Sequence, residues 1–328
     1  MKSPASAFAL LTTSLALLAA APDDLKTIRG VVRIDGSSTV FPITEAVAEE
    51  FAKVAPKINV TVGVSGTGGG FKRFTAGEID ISAASRPIRA AEAAVAAAGG
   101  LEFIELAVAF DALSFVVHPK NDWVKTLSLD QIRKIYLAGD AAKKWSDIDP
   151  SWPARPIHCF SPGTDSGTFD YFKEVVAGSM GQIRADMSVS EDDNALVTGV
   201  AGDPDAIGYF GLAYFEENTD KLRAIPVINV AGVAVAPSAA SVNIGTYTPF
   251  SRPLFIYVNR KSAEQPGVKG FVDFFLAEAP ALVDEVGYVP IPAELYSRTN
   301  SHWTARTSGS AWIHDGKDVP GDFTTTYK

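Results

Sequence analysis

The chain has 328 residues, 47% hydrophobic and 20% charged, enough apolar material for two domains of ordinary size at about 100 to 200 residues each. Its 38 acidic residues outnumber 29 basic ones, giving a formal charge of −9, which argues against nucleic acid and anionic lipid as partners. The same field repels an anionic ligand, so any anion held here has to be recognised by local dipoles and hydrogen bonds.

Lys2 precedes an uncharged apolar run from Phe8 to Ala21, and Asp23 and Asp24 follow abruptly. This is the pattern of a secretory signal peptide, expected over 1–21 with cleavage near Ala21. No Cys follows the run to carry a lipid anchor, so a soluble periplasmic mature protein is expected. No later stretch reaches the ~20 consecutive apolar residues of a membrane span. The single Cys159 has no partner for an internal disulfide and reads as an isolated buried thiol.

From Val31 short apolar runs alternate with helical patterns. Val31 to Ile34 is strand-like, and Pro42 opens a segment with Ile43, Val47, Phe51 and Val54 on one face, ended by Pro56. Ile58, Val60, Val62 and Val64 alternate as a strand does, a glycine-rich turn follows, and Phe71 to Ala76 continues as a helix. Ile79 to Ala84 is a short strand, an Ala-rich helix from Arg89 closes at Gly99 and Gly100, and β-type runs return at 101–109 and 112–118. Beyond them, Leu129 to Leu137 and Thr168 to Val176 are helical, Pro156 to Phe160 is a strand, and Ala206 to Tyr214 is an apolar turn and strand. Leu254 to Val258 is a strongly apolar strand, and Gly267 to Ala279 carries Phe271, Phe274 and Phe275 at helical spacing. The polar, Gly-rich stretch from Tyr296 to Lys328 reads as a surface extension. The alternation implies an α/β fold.

Three motifs put small hydroxyl residues and glycines between a strand and a helix, where unpaired backbone N–H groups and the positive end of a helix dipole meet. In Asp35-Gly36-Ser37-Ser38-Thr39-Val40-Phe41-Pro42, Ser38 or Thr39 either caps the helix or faces an anion. The second, Ser65-Gly66-Thr67-Gly68-Gly69-Gly70-Phe71, lacks the third glycine of a dinucleotide fingerprint and the Lys-Ser/Thr of a P-loop. The third runs from Ser161 through Asp165, Ser166, Gly167 and Thr168, and Ser166 lacks the flanking glycines of a hydrolase elbow. Arg86, directly after a buried strand and before Pro87, needs a partner, either in a cleft or in a surface ion pair. His118, His158, His302 and His314 show no metal spacing, so neither a metal nor a cofactor is expected. Asp192, Asp193 and Asn194 lie either near the hinge or at the cap of the helix that follows, and the cap is the favoured reading.

Together the segments Asp35 to Pro42, Ser65 to Phe74, Asp80 to Ile88, Gln131 to Leu137, Pro162 to Phe172, Ser190 to Val200 and Ala206 to Tyr214 resemble the phosphate-binding proteins of ABC uptake systems, the PstS type, in its SphX-like branch. The resemblance implies a two-lobed periplasmic binding protein fold of type II with the ligand in the interlobe cleft. Lobe I would be 22–112 plus 250–328 and lobe II 113–249, with crossings near 111–118 and 248–258. It also implies that phosphate is held by Thr39 with its neighbours Ser38 and Val40, by Ser65 or Thr67, by Arg86, and by Asp165, Ser166, Gly167 and Thr168.

The enterobacterial members place an Asp where Arg86 stands and an Arg shortly before the second-lobe Ser-Gly-Thr. Arg86 and Asp165 are therefore expected to exchange roles across the cleft, Asp165 accepting the proton that phosphate carries and sulfate lacks. The implied partners are inorganic phosphate and the transmembrane permease of an ABC transporter, with the protein a monomer and no enzyme. Three alternatives stay open: a binding protein for another oxyanion such as sulfate or molybdate; a secreted phosphatase, for which no metal cluster or activated nucleophile is visible; and an exported scaffold or adhesin on the same fold.

Overall fold

The computed structural model describes residues 23–164, 166–178, 181–319 and 323–327. The first third alternates β1 (Gly30–Gly36), α1 (Phe41–Val54), β2 (Ile58–Val64), α2 (Gly66–Thr75), β3 (Ile81–Ala84), α3 (Ala90–Ala98) and β4 (Phe103–Val117). Next come α4 (Leu129–Tyr136), α5 (Trp145–Ile148), β5 (His158–Pro162), α6 (Gly167–Ala177), β6 (Ser188–Ser190), α7 (Asp193–Gly202), β7 (Ala206–Gly211) and α8 (Leu212–Glu216). Short strands β8 (Arg223–Ala224), β9 (Val227–Ile228) and β10 (Ala234–Val235) lead to α9 (Ala239–Asn243). The chain ends with β11 (Ser251–Asn259), α10 (Pro266–Glu285), β12 (Val289–Pro290), α11 (Ala293–Ala305), the hairpin β13 (Ile313–His314) and β14 (Lys317–Asp318), and α12 (Phe323–Thr326).

The strands form one path, β2-β1-β3-β11-β4-β7-β5-β6, with β8 and β12 also on β4. β4 is buried along its whole length and changes partners midway: Phe103 to Ala112 pair antiparallel with β11, and Leu113 to Val117 with β7. The two β-type runs expected at 101–109 and 112–118 are thus one strand that serves both halves of the molecule. On one side the parallel strands β2, β1 and β3 carry α1 and α2; on the other, β7, β5 and β6 are parallel and carry α6 and α7. Aromatic residues fill both cores. Phe51 packs edge-on against Phe271 in the first, and Phe172 stacks on Tyr209 at 3.8 Å between ring centroids in the second.

The glycine-rich segment is not the turn expected from its composition. Gly66 to Gly70 are the opening of α2 itself. The reason is close packing: a Cβ on Gly70 would lie 2.6 Å from Gly36 Cα and 2.9 Å from Ser82 Oγ, so only glycine lets this helix sit against β1 and β3.

The C-terminal segment also departs from expectation. It is no surface extension but a cover over β4. Tyr296 donates to the Val108 carbonyl at 2.9 Å, Thr299 to that of Ala107 at 3.0 Å, and Trp312, Phe323 and Tyr327 are buried. Beneath the cover lies Glu105, which accepts from Tyr257 at 2.9 Å, Ser310 at 2.5 Å and the Ala311 backbone at 3.1 Å. Burial outweighs these donors and pushes its carboxyl up to about 7. Cys159 is buried as expected, its thiol pushed up to about 12 by burial.

Two stability predictions follow from this packing. Gly70→Ala gains about 1 kcal/mol of helix propensity but meets backbone, and overpacking costs about 1–3 kcal/mol, so urea unfolding should show a net loss. Gly68→Ala, with nothing within 4 Å of its added carbon, should show a gain; equal shifts for the two would refute the packing account. Glu105, whose folded value of about 7 exceeds the ~4.3 of an unfolded glutamate, contributes stability that is full below the lower value and lost as pH rises through the upper. The wild-type urea midpoint should therefore drop more between about pH 5 and about pH 8 than that of Glu105→Gln, the slope being the readout.

Candidate functional site

Asp111 and Arg252 face each other in register across β4 and β11, at the point where β4 passes from one half to the other. Directly opposed residues of an antiparallel pair stand close enough for side-chain contact. Arg252 Nε donates to Asp111 Oδ2 at 3.2 Å. The same guanidinium donates from Nη2 to Thr39 Oγ1 at 2.9 Å and to the Gly167 carbonyl at 3.5 Å, and from Nη1 to Glu174 at 3.4 Å. It lies 3.8 Å from the ring centroid of Tyr171, whose hydroxyl donates to the Pro249 carbonyl at 2.8 Å. Arg252 therefore touches both halves. Asp111 is 2% exposed, and burial pushes its carboxyl up against the lowering effect of Arg252.

Around this pair the halves meet. Gly167 approaches Thr39 so closely that a Cβ on Gly167 would lie 2.7 Å from Thr39 Cα, and Ser38 donates to Asp170 at 3.4 Å. A cavity of about 420 Å³ opens beside the contact, lined by Ser38, Val64, Asp111, Ser166, Gly167 and Thr168 among others. The N-terminal ends of α1 and α6 both border it, through Phe41 and Pro42 and through Gly167 and Thr168. Glu191 and Asp193 add carboxylates, and Tyr214 and Tyr288 close a further wall.

Of the residues named from the sequence, Ser38, Ser166, Gly167 and Thr168 line the cavity, and Thr39 borders it through Arg252 and Gly167. Ser38 and Thr39 do not cap α1: its N-cap is Val40, without a side-chain cap bond, and both hydroxyls turn across the interface instead. Ser166 does cap α6, accepting from the Thr168 backbone at 3.2 Å. Asp192 caps α7 as expected, accepting from Asn194 at 2.9 Å, while Asp193 faces the cavity.

Asp165 lies outside the described residues. Val40, Ser65 and Thr67 are not among the cavity's lining residues, and Thr67 is instead within 3.0 Å of Ser85. Arg86 also stands away from the lining. Its guanidinium makes a two-pronged pair with Glu92 at 2.9 and 2.8 Å, donates to the Pro87 carbonyl at 3.0 Å and lies 5.3 Å from the Phe71 ring centroid. The partner that Arg86 needs is thus a glutamate six residues on, and the expectation that it is the cation of the cleft does not fit this geometry.

Arg252 and Asp111 escaped the sequence reading, although a signal was present. Asp111 is the single charge between Leu106 and Val117, and Arg252 opens the apolar strand Pro253 to Val258; charges so placed are rarely buried without a partner. Among the described residues no group of three or more His, Cys, Asp and Glu side chains is suited to a metal ion. His158 pairs with Asp203 at 2.5 Å on the surface.

Comparison with known proteins agrees with this architecture. A family model described as a PBP superfamily domain matches residues 21–279. The chain is 49% identical over 296 residues to protein SphX of Synechococcus elongatus, covering 89% of this chain and 86% of that protein. It is 37% identical over 273 residues to the phosphate-binding protein PstS of Staphylococcus saprophyticus, covering 83% and 84%. A crystal structure of a possible phosphate binding protein from Planctomyces limnophilus superimposes with a TM-score of 0.81 at 42% identity, over 85% of this chain and 99% of that one. An ABC-type phosphate transport receptor from Vibrio cholerae shares the fold at a TM-score of 0.63 and 23% identity. The chain belongs to the PBP superfamily, with SphX and the PstS phosphate-binding proteins as its relatives, and has their two-lobed α/β fold.

Proposed function

We propose that this protein captures inorganic phosphate in the cavity between its two halves and hands it to the membrane permease of an ABC transporter, acting as a monomer in the periplasm after export on residues 1–21. The observation that carries the reading is the convergence on one cavity of two helix N-termini, the hydroxyls of Ser38, Ser166 and Thr168, and one part-buried arginine bonded to residues of its rim. Helix N-termini and hydroxyls hold an oxyanion without added net charge, as a chain of charge −9 requires. The phosphate binding named for the PstS relative and for the Planctomyces limnophilus protein points the same way.

In this reading Thr39, Ser38, Ser166, Gly167 and Thr168 surround the anion, and Arg252, not Arg86, supplies the cation. Asp165 keeps its proposed role as an acceptor for the phosphate proton. Because Arg252 bonds Thr39 on one side and Gly167 on the other, an anion drawing on it favours the closed arrangement of the halves, the form that a permease can distinguish from the open one.

Titration calorimetry of the mature, ligand-stripped protein should show one-to-one binding of phosphate and no heat with sulfate at the same pH; the reverse would assign the cavity to another oxyanion. Arg252→Ala should weaken phosphate binding on the order of 100-fold, the scale of losing hydrogen bonds to a charged group. Arg86→Ala should lower the unfolding midpoint through loss of its pair with Glu92 and change affinity by less than about threefold. If Arg86→Ala abolished binding and Arg252→Ala did not, the exchange of Arg86 and Asp165 read from the sequence would be restored.

A further inference from the structure

The cavity is acidic for a site that takes an anion. Asp111, Glu191 and Asp193 all line it. The cation at its edge, Arg252, already faces Asp111 and Glu174. Asp193 opens α7, where the helix dipole favours an ionised carboxyl. Burial opposes that, and Asp192 and Glu191 beside it add like charge, so that its carboxyl is pushed up to about 6. The other groups around it offer no compensating cation among the described residues. Tyr214 from α8 and Tyr288 from the turn after α10 are both coupled to Asp193, and both are held in the neutral phenol form by burial. Asp111 stands on the same cavity wall from β4.

We propose that Asp193 makes anion binding proton-coupled: the cavity fills with Asp193 protonated, takes up a proton from solvent when it starts ionised, and loses affinity as pH rises. Resting on the phosphate reading, the inference concerns which charge state of the site accepts that ligand. An ionised Asp193 beside Glu191 adds a second negative charge next to the place where the anion settles. Protonated, the same group donates a hydrogen bond to it. The bound anion then holds that proton more firmly than the empty site does, which is the condition for uptake on binding.

The sign follows from the free-site value. Below about 6 Asp193 is already neutral and binding is undiminished. Above that value each binding event has to draw the proton from solvent, so affinity falls until the bound site also ionises. Phosphate changes its own protonation in the same range, but that contribution is common to any variant of the protein.

The test is calorimetric titration with inorganic phosphate from about pH 5.5 to about pH 8, in pairs of buffers of different ionisation enthalpy, for the wild type and Asp193→Asn. The wild type should lose about tenfold more affinity than the variant over that range, and the buffer pairs should reveal proton uptake that the variant lacks. Glu191→Gln removes a neighbouring negative charge and should shift the wild-type fall in affinity to lower pH, which serves if Asp193→Asn does not fold. Parallel pH profiles for wild type and both variants, with phosphate still bound, would overturn the proton-coupling and leave the phosphate reading standing. No phosphate binding by the wild type at any pH would defeat that reading and this inference with it.

Discussion

The fold depends on β4 being shared by both halves, and one cross-strand pair with β11, Asp111 with Arg252, marks the place where they are joined. Such a pair contributes little to stability. Desolvating two charges roughly cancels their attraction, whereas stripping one partner from a buried pair costs about 3–5 kcal/mol. Apolar residues would fill the same volume at no such risk, so the pair is better understood as a way to fix a guanidinium at the junction. There it reaches Thr39 from one half and Gly167 from the other. Its face is held by the Tyr171 ring, which a flexible ammonium would not exploit to the same extent.

The hydroxyl residues around it show the same preference for placement over local stability. A serine or threonine before a helix ordinarily caps it, worth about 1 kcal/mol. Ser38 and Thr39 forgo this at α1, and both turn toward the opposing half. Ser166 makes its cap within the rim itself, so that α6 begins at the point of closest approach. The Phe41 amide at the opening of α1 donates to the Ser37 carbonyl at 3.1 Å and Pro42 has no N–H to offer, so this terminus acts on an anion chiefly through the dipole of the helix.

Much of this was legible in the sequence because apolar periodicity is local. The strands at 30–36, 58–64 and 251–259 and the helices at 129–136 and 167–177 stand close to where the spacing puts them. What failed was decided at a distance. Gly66 to Gly70 look like a turn until Gly36 and Ser82 are seen pressing on Gly70. The final segment looks polar on average, yet Trp312, Phe323 and Tyr327 are spaced to reach β4 from outside. Arg86 and Arg252 are indistinguishable as isolated arginines before proline. Only the third dimension shows that Glu92 takes the first, while the second faces a carboxylate from a strand 141 residues away. Motif reading singled out the hydroxyls that lie at strand ends and passed over Arg252, which lies within an apolar strand.

Selectivity in such a site rests as much on what it repels as on what it attracts. The overall charge of −9 and the ionised carboxylates on the cavity wall oppose every anion, so binding survives only where short-range donors outweigh that opposition. An oxyanion that carries a proton can turn one repelling carboxylate into a hydrogen-bond acceptor. A fully ionised one of the same size leaves it unpaired, and that difference, not the depth of either well, is what discriminates. Adding cations would deepen both wells without widening the gap between them. In the proposed site one arginine facing Asp111, with helix ends and hydroxyls doing the remainder of the holding, would keep the gap open.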